Sequence, residues 1–301
     1  MIYQNTISKP VTVTGIGIHS GKKATMTLKP ALANSGIVFQ RVDLEDKPLL
    51  PANALTVGAT ENQTVLGQGI SAVHTVEHLL SAFYGFGIDN IFCEIDGPEV
   101  PIMDGSGTSF VYLLKQAGIK ELTHYKEFLV VDKKVSVEHG DKWASIEPSR
   151  DFIIDSTIIF PHPSIKKQSR SFLFSPDNYQ KEISKARTFG LLRDVDMLKR
   201  KGLIQGGSLN NAIVLDEFNV VNPEGLRYFD EFIRHKILDT IGDLSLLGYG
   251  VKGKVTTFKS GHMVHNLLCR KRLEDPSNYH IEKANLFWRK NEDINTTMEN
   301  L

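Results

Sequence analysis

The sequence predicts an α+β fold: two similar halves, each a β-sheet with a helix pair, packed as a sandwich around one site. Three observations predict it. Segments of apolar–polar alternation are interleaved with segments whose apolar residues recur at helical spacing. The order of segments in the first half returns in the second. The two stretches richest in ionisable groups, His74-Thr75-Val76-Glu77-His78 and His235-Lys236-Ile237-Leu238-Asp239, fall on corresponding helices of the two halves. With 301 residues and 41% hydrophobic side chains, the chain can form one large or two medium domains with a packed core.

Residues 10–30 and 35–41 alternate as strands, and 52–66 continue as strand and loop. Gly15-Ile16-Gly17-Ile18-His19-Ser20-Gly21-Lys22 looks like a nucleotide-binding glycine loop. A phosphate loop must open a helix, however, and Thr25-Met26-Thr27-Leu28 alternates like a strand, so a β-hairpin turn is the reading. Over 70–85, Ile70, Val73, Leu79, Leu80 and Phe83 recur at helical spacing until Gly85 and Gly87 stop the pattern. A strand follows at 90–96 and a second helix at 107–117, ending at Gly118.

The polar stretch Thr123-His124-Tyr125-Lys126 marks a boundary, giving a first α+β domain at 1–124 and a second at 125–301. Beyond it Lys133-Lys134-Val135-Ser136-Val137 echoes Lys9-Pro10-Val11-Thr12-Val13, each leading through a glycine turn into a strand. His235-Lys236-Ile237, then Gly248, Gly250 and a strand at 254–258, parallels His78-Leu79-Leu80, Gly85, Gly87 and its strand. The second half adds an insert at about 189–215: an amphipathic piece at 194–201, then Gly202, Gly206 and Gly207, then Ala212-Ile213-Val214-Leu215. The tail after Asn291 reads as frayed.

Lys plus Arg equals Asp plus Glu at 35 each, so no global field argues for nucleic acid or a membrane surface, and any anionic partner is met locally. Cys93 and Cys269 sit in apolar surroundings without CxxC spacing, as reduced core thiols do. No apolar run approaches the roughly 18 residues of a membrane span, and the N-terminus lacks a leader pattern. A cytoplasmic monomer is expected.

In the second ionisable stretch Phe232, Ile233, Ile237, Leu238, Ile241 and Leu244 form a buried stripe, while His235, Asp239 and Asp243 repeat every four residues on another face. A catalytic Zn²⁺ takes three ligands of the His/His/carboxylate kind, keeps one position for water, and needs a carboxylate nearby to accept that water's proton. Together the two stretches supply all of these, so the residues predict a metal-dependent hydrolase with its metal site between the halves. Two other readings stay open. His74-x-x-Glu77-His78 also matches the inverted (HxxEH) zinc-peptidase signature, which makes His74 a ligand but leaves the His235/Asp239/Asp243 face unexplained. A non-catalytic binding module would have no use for Glu77.

Seven motifs then occur in order: Gly15-x-Gly17-x-His19-x-Gly21-Lys22, Thr75-Val76-Glu77-His78-Leu79, Gly87-Ile88-Asp89-Asn90, Glu99-Val100-Pro101-Ile102-Met103-Asp104-Gly105-Ser106, Ser184-x-Ala186-Arg187-Thr188-Phe189-Gly190, Arg234-His235-Lys236-x-Leu238-Asp239-x-Ile241-Gly242-Asp243-Leu244, and Ser260-Gly261-His262. Through them the chain resembles, over nearly its full length, the UDP-3-O-acyl-N-acetylglucosamine deacetylases of lipid A biosynthesis in Gram-negative bacteria. The resemblance implies one Zn²⁺ per chain on His78, His235 and Asp239, with His74 not a ligand; the same donors also suit Fe²⁺. It implies hydrolysis of the sugar's N-acetyl group, giving UDP-3-O-acyl-glucosamine and acetate. Glu77 would be the base, the Thr188 hydroxyl would hold the oxyanion, and His262, kept cationic by Asp243, would protonate the departing nitrogen.

By the same resemblance Lys236 and Lys142 meet the nucleotide-sugar diphosphate or nearby polar groups. The acyl chain would lie in a hydrophobic passage of Phe189, Leu191, Val195, Gly207, Ser208, Leu209, Ala212 and Val214. Two departures stand out: Thr60-Glu61-Asn62-Gln63-Thr64 is more polar than in better-known members, and Leu209 replaces a frequent aromatic. His139, His162, His265 and His280 fall outside the motif roles and are expected to be structural or surface residues.

Overall fold

A computed structural model of the chain describes residues 2–284, so the tail after Asn291 lies outside the described residues. Alternation decides the first sheet. β1 (Tyr3–Ile7) is buried from Gln4 to Ile7, whereas in β2 (Val11–Ile16) and β3 (Lys23–Pro30) every second residue turns inward, and Ala24, Met26 and Leu28 of β3 are buried. The expected hairpin joins β2 to β3, with Val11 opposite Leu28 and Ile16 opposite Lys23. On its outer face Thr12 bonds Thr27 and Thr14 bonds Thr25 at 3.0 and 3.1 Å. β4 (Ile37–Arg41) and β5 (Leu49–Pro51) complete a five-stranded sheet of order β2-β3-β8-β4-β5, in which β8 (Ile91–Ile95) buries Ile91, Cys93 and Ile95. The short pair β6 (Val57–Ala59) and β7 (Val65–Leu66) leads to α1 (Glu77–Phe86). α2 (Thr108–Ala117) follows β8 and ends at Gly118 as expected.

The helix expected over 70–85 begins seven residues late. Ile70 is 80% exposed and so belongs to no buried stripe. Residues 69–71 form a single 3₁₀ turn, Val73 pairs with Leu66 as a bridge, and the His74 amide donates to the Pro98 carbonyl at 2.9 Å. Thr75 has φ 56°, a left-handed backbone that no α-helix continues through. Cross-chain bonding therefore outcompetes the local helix until Glu77.

β9 (Ile119–Tyr125) pairs antiparallel with β1, and after Lys126 the chain enters a second sheet at β10 (Glu127–Val131). β11 (Val135–His139) and β12 (Lys142–Glu147) form a hairpin; β13 (Phe152–Phe160) pairs with β14 (Lys166–Leu173). A helical turn α3 (Pro176–Asn178) continues as a π turn to Ile183. The insert is a small unit of its own: β15 (Phe189–Leu191), α4 (Leu192–Arg200) and β16 (Ile213–Leu215), with β15 and β16 parallel. β16 falls within the run Ala212 to Leu215, α4 starts two residues before the amphipathic piece at 194–201, and the strand β15 was not expected from the sequence.

Then come α5 (Glu231–Ser245), β17 (Gly250–Phe258), α6 (His262–Glu274) and β18 (Tyr279–Lys283). β17 is central to the second sheet, pairing with β10, β12 and β13. α5 and α6 lie against this sheet, and α1 packs along α5, so the helices form the middle of an α+β sandwich. One hydrophobic cluster runs through both halves, from Met26, Phe39 and Phe83 to Leu238, Ile241 and Val255. A smaller cluster of Ile158, Ile165, Ile213, Leu215, Phe232 and Ile233 seats the insert on α5. Both cysteines are buried and free, and burial pushes both thiols up. No helix among the described residues is long and apolar enough to cross a membrane.

Candidate active site and metal centre

The site forms where α1 starts and α5 passes it. Gly242 permits the approach: a Cβ there would lie 2.1 Å from the Glu77 carbonyl oxygen. We expect Gly242→Ala to push the helices apart, costing about 1–3 kcal/mol of stability by denaturant unfolding. Gly190→Ala, with nothing within 4 Å of the added carbon, should stay within about 0.5 kcal/mol. Equal losses in the two variants would sink the close-approach argument.

His78 on α1 and the i,i+4 pair His235 and Asp239 on α5 converge. His78 Nε2 and His235 Nε2 lie 3.5 and 3.3 Å from Asp239 Oδ1, with all three residues buried. His235 Nδ1 lies 3.0 Å from the Ala186 carbonyl, a contact that assigns the ring proton to Nδ1 and leaves Nε2 as a lone pair. Burial, above all, lowers the His235 pKa to about 3, which keeps the ring neutral. Burial opposes ionisation of Asp239, but His235 and the Lys236 ammonium override it and hold the carboxyl well below its usual range. Lys236 Nζ bonds Asp239 Oδ2 at 2.9 Å.

Asp239 Oδ1, where both imidazoles point, has no hydrogen-bond partner, and neither has His78 Nδ1. A buried carboxylate oxygen without a donor is costly unless a cation sits against it. The donor set therefore fits a divalent metal, and these three residues form a candidate metal-binding group. Asp243, His262 and His265 are equally close together. Their nitrogens, however, lie 2.8 and 2.7 Å from one oxygen, Asp243 Oδ2, which is hydrogen-bond spacing.

Glu77 is the first residue of α1 and is buried beside this group. Its Oε2 accepts from the Thr64 amide at 2.9 Å, and its Oε1 lies 3.9 Å from His262 Nε2. Burial raises its pKa, partly opposed by His262 and His78. Burial works against a charge on His262, yet Asp243 and Glu77 push that imidazole up to about 9. Thr64 ties the acids together, since its hydroxyl donates to Asp243 Oδ1 at 2.6 Å. Thr188 hangs between the strand start and the Gly105 turn by backbone bonds of 2.8 Å, and its hydroxyl takes no partner among the described residues.

Glu77, His78, His235, Asp239 and His262 line a cavity of about 770 Å³ that runs into the insert. Phe189, Leu191, Val195, Gly207, Ser208, Leu209, Ala212 and Val214 all line it, as do Thr188, Lys142 and Lys236. Nothing on α4 is buried: Leu192, Val195 and Leu198 face the cavity. Sequence reasoning missed three contributors. His19 lines the cavity from the hairpin turn, its carbonyl accepting from the Gln205 amide at 3.0 Å and so docking the insert. Thr64 belongs to the polar segment noted only as a departure. His265, expected to be structural or on the surface, is buried on Asp243; the signal was its i+3 spacing from His262 at a helix start. His280 and His139 lie on exposed strand positions and His162 bonds the Asp216 carbonyl at 2.9 Å, all away from the site.

His74 does not share the helix with His78, as the inverted-peptidase alternative needs. It sits in a bridge beside Glu99 with Nδ1 3.3 Å from Gln63 Oε1, and it belongs to neither candidate metal group among the described residues.

A family model described as UDP-3-O-acyl N-acetylglycosamine deacetylase matches residues 4–274. The UDP-3-O-acyl-N-acetylglucosamine deacetylase of Myxococcus xanthus is 52% identical over 281 residues, covering 93% of this chain and 90% of the relative. The proteins of the same name from Geobacter sp. and Pasteurella multocida are each 48% identical, over 279 and 274 residues, covering 93% and 90% of this chain and 92% and 90% of the relatives.

Proposed function

This chain belongs to the UDP-3-O-acyl N-acetylglycosamine deacetylase family, and from that premise we propose that it is a zinc-dependent hydrolase removing the N-acetyl group of UDP-3-O-acyl-N-acetylglucosamine in lipid A biosynthesis. One observation carries the reading: His78, His235 and Asp239 converge beside the buried Glu77 at the inner end of an apolar-walled cavity. The proposed setting is the cytoplasm, with the chain acting as a monomer whose domains are 1–124 and 125–301.

His78, His235 and Asp239 would hold the zinc, which would supply the Lewis acidity that makes a water molecule acidic enough to be deprotonated near neutral pH. Glu77 accepts that proton, its basicity raised by burial. The water oxygen bonds to the acetyl carbon, and the Thr188 hydroxyl, which has no partner among the described residues, donates to the oxyanion. His262, cationic against Asp243, gives its Nε2 proton to the amide nitrogen as the C–N bond breaks. Acetate and a free amine result. Lys236 and Lys142 meet the diphosphate end, and the insert residues from Phe189 to Val214 sheathe the acyl chain.

The test is acetate release from UDP-3-O-acyl-N-acetylglucosamine by purified protein, before and after stripping metal and after adding zinc back. Activity should vanish and return. A fully metallated protein that releases no acetate would overturn the reading.

A further inference from the structure

Asp243 serves two imidazoles through a single oxygen. Oδ2 lies 2.8 Å from His262 Nδ1 and 2.7 Å from His265 Nδ1, while Oδ1 accepts from the Thr64 hydroxyl. His265 is 1% exposed and does not line the cavity; its Nε2 lies 2.9 Å from Ser260 Oγ and 3.4 Å from Thr240 Oγ1. It can therefore reach the reaction only through Asp243. A second ring buried on the same carboxylate is not a packing necessity, since an apolar side chain fills such space without desolvating a polar ring.

The surroundings leave few other controls on that carboxylate. The charged and titratable groups facing the cluster are Glu77 and His78 on α1, Lys236 and Asp239 on α5, His19 in the hairpin turn and Cys269 one turn along α6. β11 and β12, which pack against α6, bury Val135, Ala144 and Ile146 and add no charge there. Each further donor on a carboxylate oxygen spreads its charge and weakens its grip on the other donor.

We propose that His265 is a positioning residue for deacetylation: it fixes the Asp243 carboxylate through the same Oδ2 that holds His262 and takes part of its charge, so that His262 releases its proton more readily to the departing nitrogen. The inference rests on the reading of His262 as proton donor. A ring that holds its proton too tightly is a poor general acid, and His262 already carries two carboxylates, Asp243 and Glu77, within reach.

The experiment compares the metallated wild-type protein with His265→Ala and His265→Asn. Two quantities are followed against pH: kcat/KM, and the ¹H–¹⁵N imidazole signals of His262. In His265→Ala both the His262 titration and the basic limb of kcat/KM should move up by about one pH unit, with kcat lowered near neutral pH and KM within about twofold. His265→Asn, which returns a neutral N–H donor to Asp243, should bring both back most of the way. If neither quantity moves while kcat falls in step with thermal stability, His265 is merely structural and the proposal fails. If the His262 signal moves and the kinetic limb does not, the role of His265 in the reaction falls with that of His262 as proton donor, while its hold on Asp243 stands.

Discussion

Replacing Glu77 by Gln is expected to lower kcat by about 10²–10⁴-fold while the protein keeps its full complement of metal. The substitution preserves the shape of the side chain and leaves an amide oxygen able to accept from the Thr64 amide, which now bonds Glu77 Oε2 at 2.9 Å. What it removes is the ability to accept a proton. Because burial raises the Glu77 pKa, the wild-type acid limb of kcat/KM should lie above the ordinary carboxylate range. Activity then rises as pH climbs through that value and Glu77 ionises, and the limb should disappear in Glu77→Gln. Metal analysis alongside steady-state kinetics decides it. A variant that retains metal and turns over within threefold of wild type would remove Glu77 from the role of base.

His235→Ala is expected to abolish metal retention and, with it, acetate release. The loss in metal affinity should exceed the roughly 10–100-fold that follows from altering an outer hydrogen-bond partner of a metal ligand. Without His235, Asp239 Oδ1 keeps a single imidazole, His78 at 3.5 Å, and the bond from Lys236 to Oδ2 then pairs the carboxylate with an ammonium instead. Metal titration at matched free zinc checks this, with circular dichroism to show that α5 persists. Wild-type affinity in a folded variant would exclude His235 as a ligand.

Much of this arrangement was legible in the sequence because it depends on local period. The i,i+4 placement of His235 and Asp239 follows from the stripe of Phe232, Ile237 and Ile241 on the same helix, and the helix is where that stripe puts it. The hairpin at 16–23 was readable from the alternation of Thr25 to Leu28. The short strand at 213–215 was readable from the apolar run Ala212 to Leu215. What escaped has long-range causes. The start of α1 is set by His74 pairing to the Pro98–Glu99 segment, and no window around residue 70 contains that information. Thr64 acts across 179 positions on Asp243, and His265 across 22, so their roles exist only once α1, α5 and α6 are packed together. His19 reaches the cavity by a turn whose sequence reads as nothing more than a tight loop.

The ligand geometry also carries a mechanical meaning. His78 comes from the first half of the chain and His235 with Asp239 from the second, so on the proposed reading a bound cation is a rivet through the middle of the sandwich. Its binding free energy counts toward cohesion of the two halves as well as toward chemistry, by mass action on the docked state alone. With Cys93 and Cys269 both free and buried, no covalent bridge shares that task. On that reading this part of the fastening between the halves, beside the shared hydrophobic cluster, answers to chelators and is indifferent to reductants.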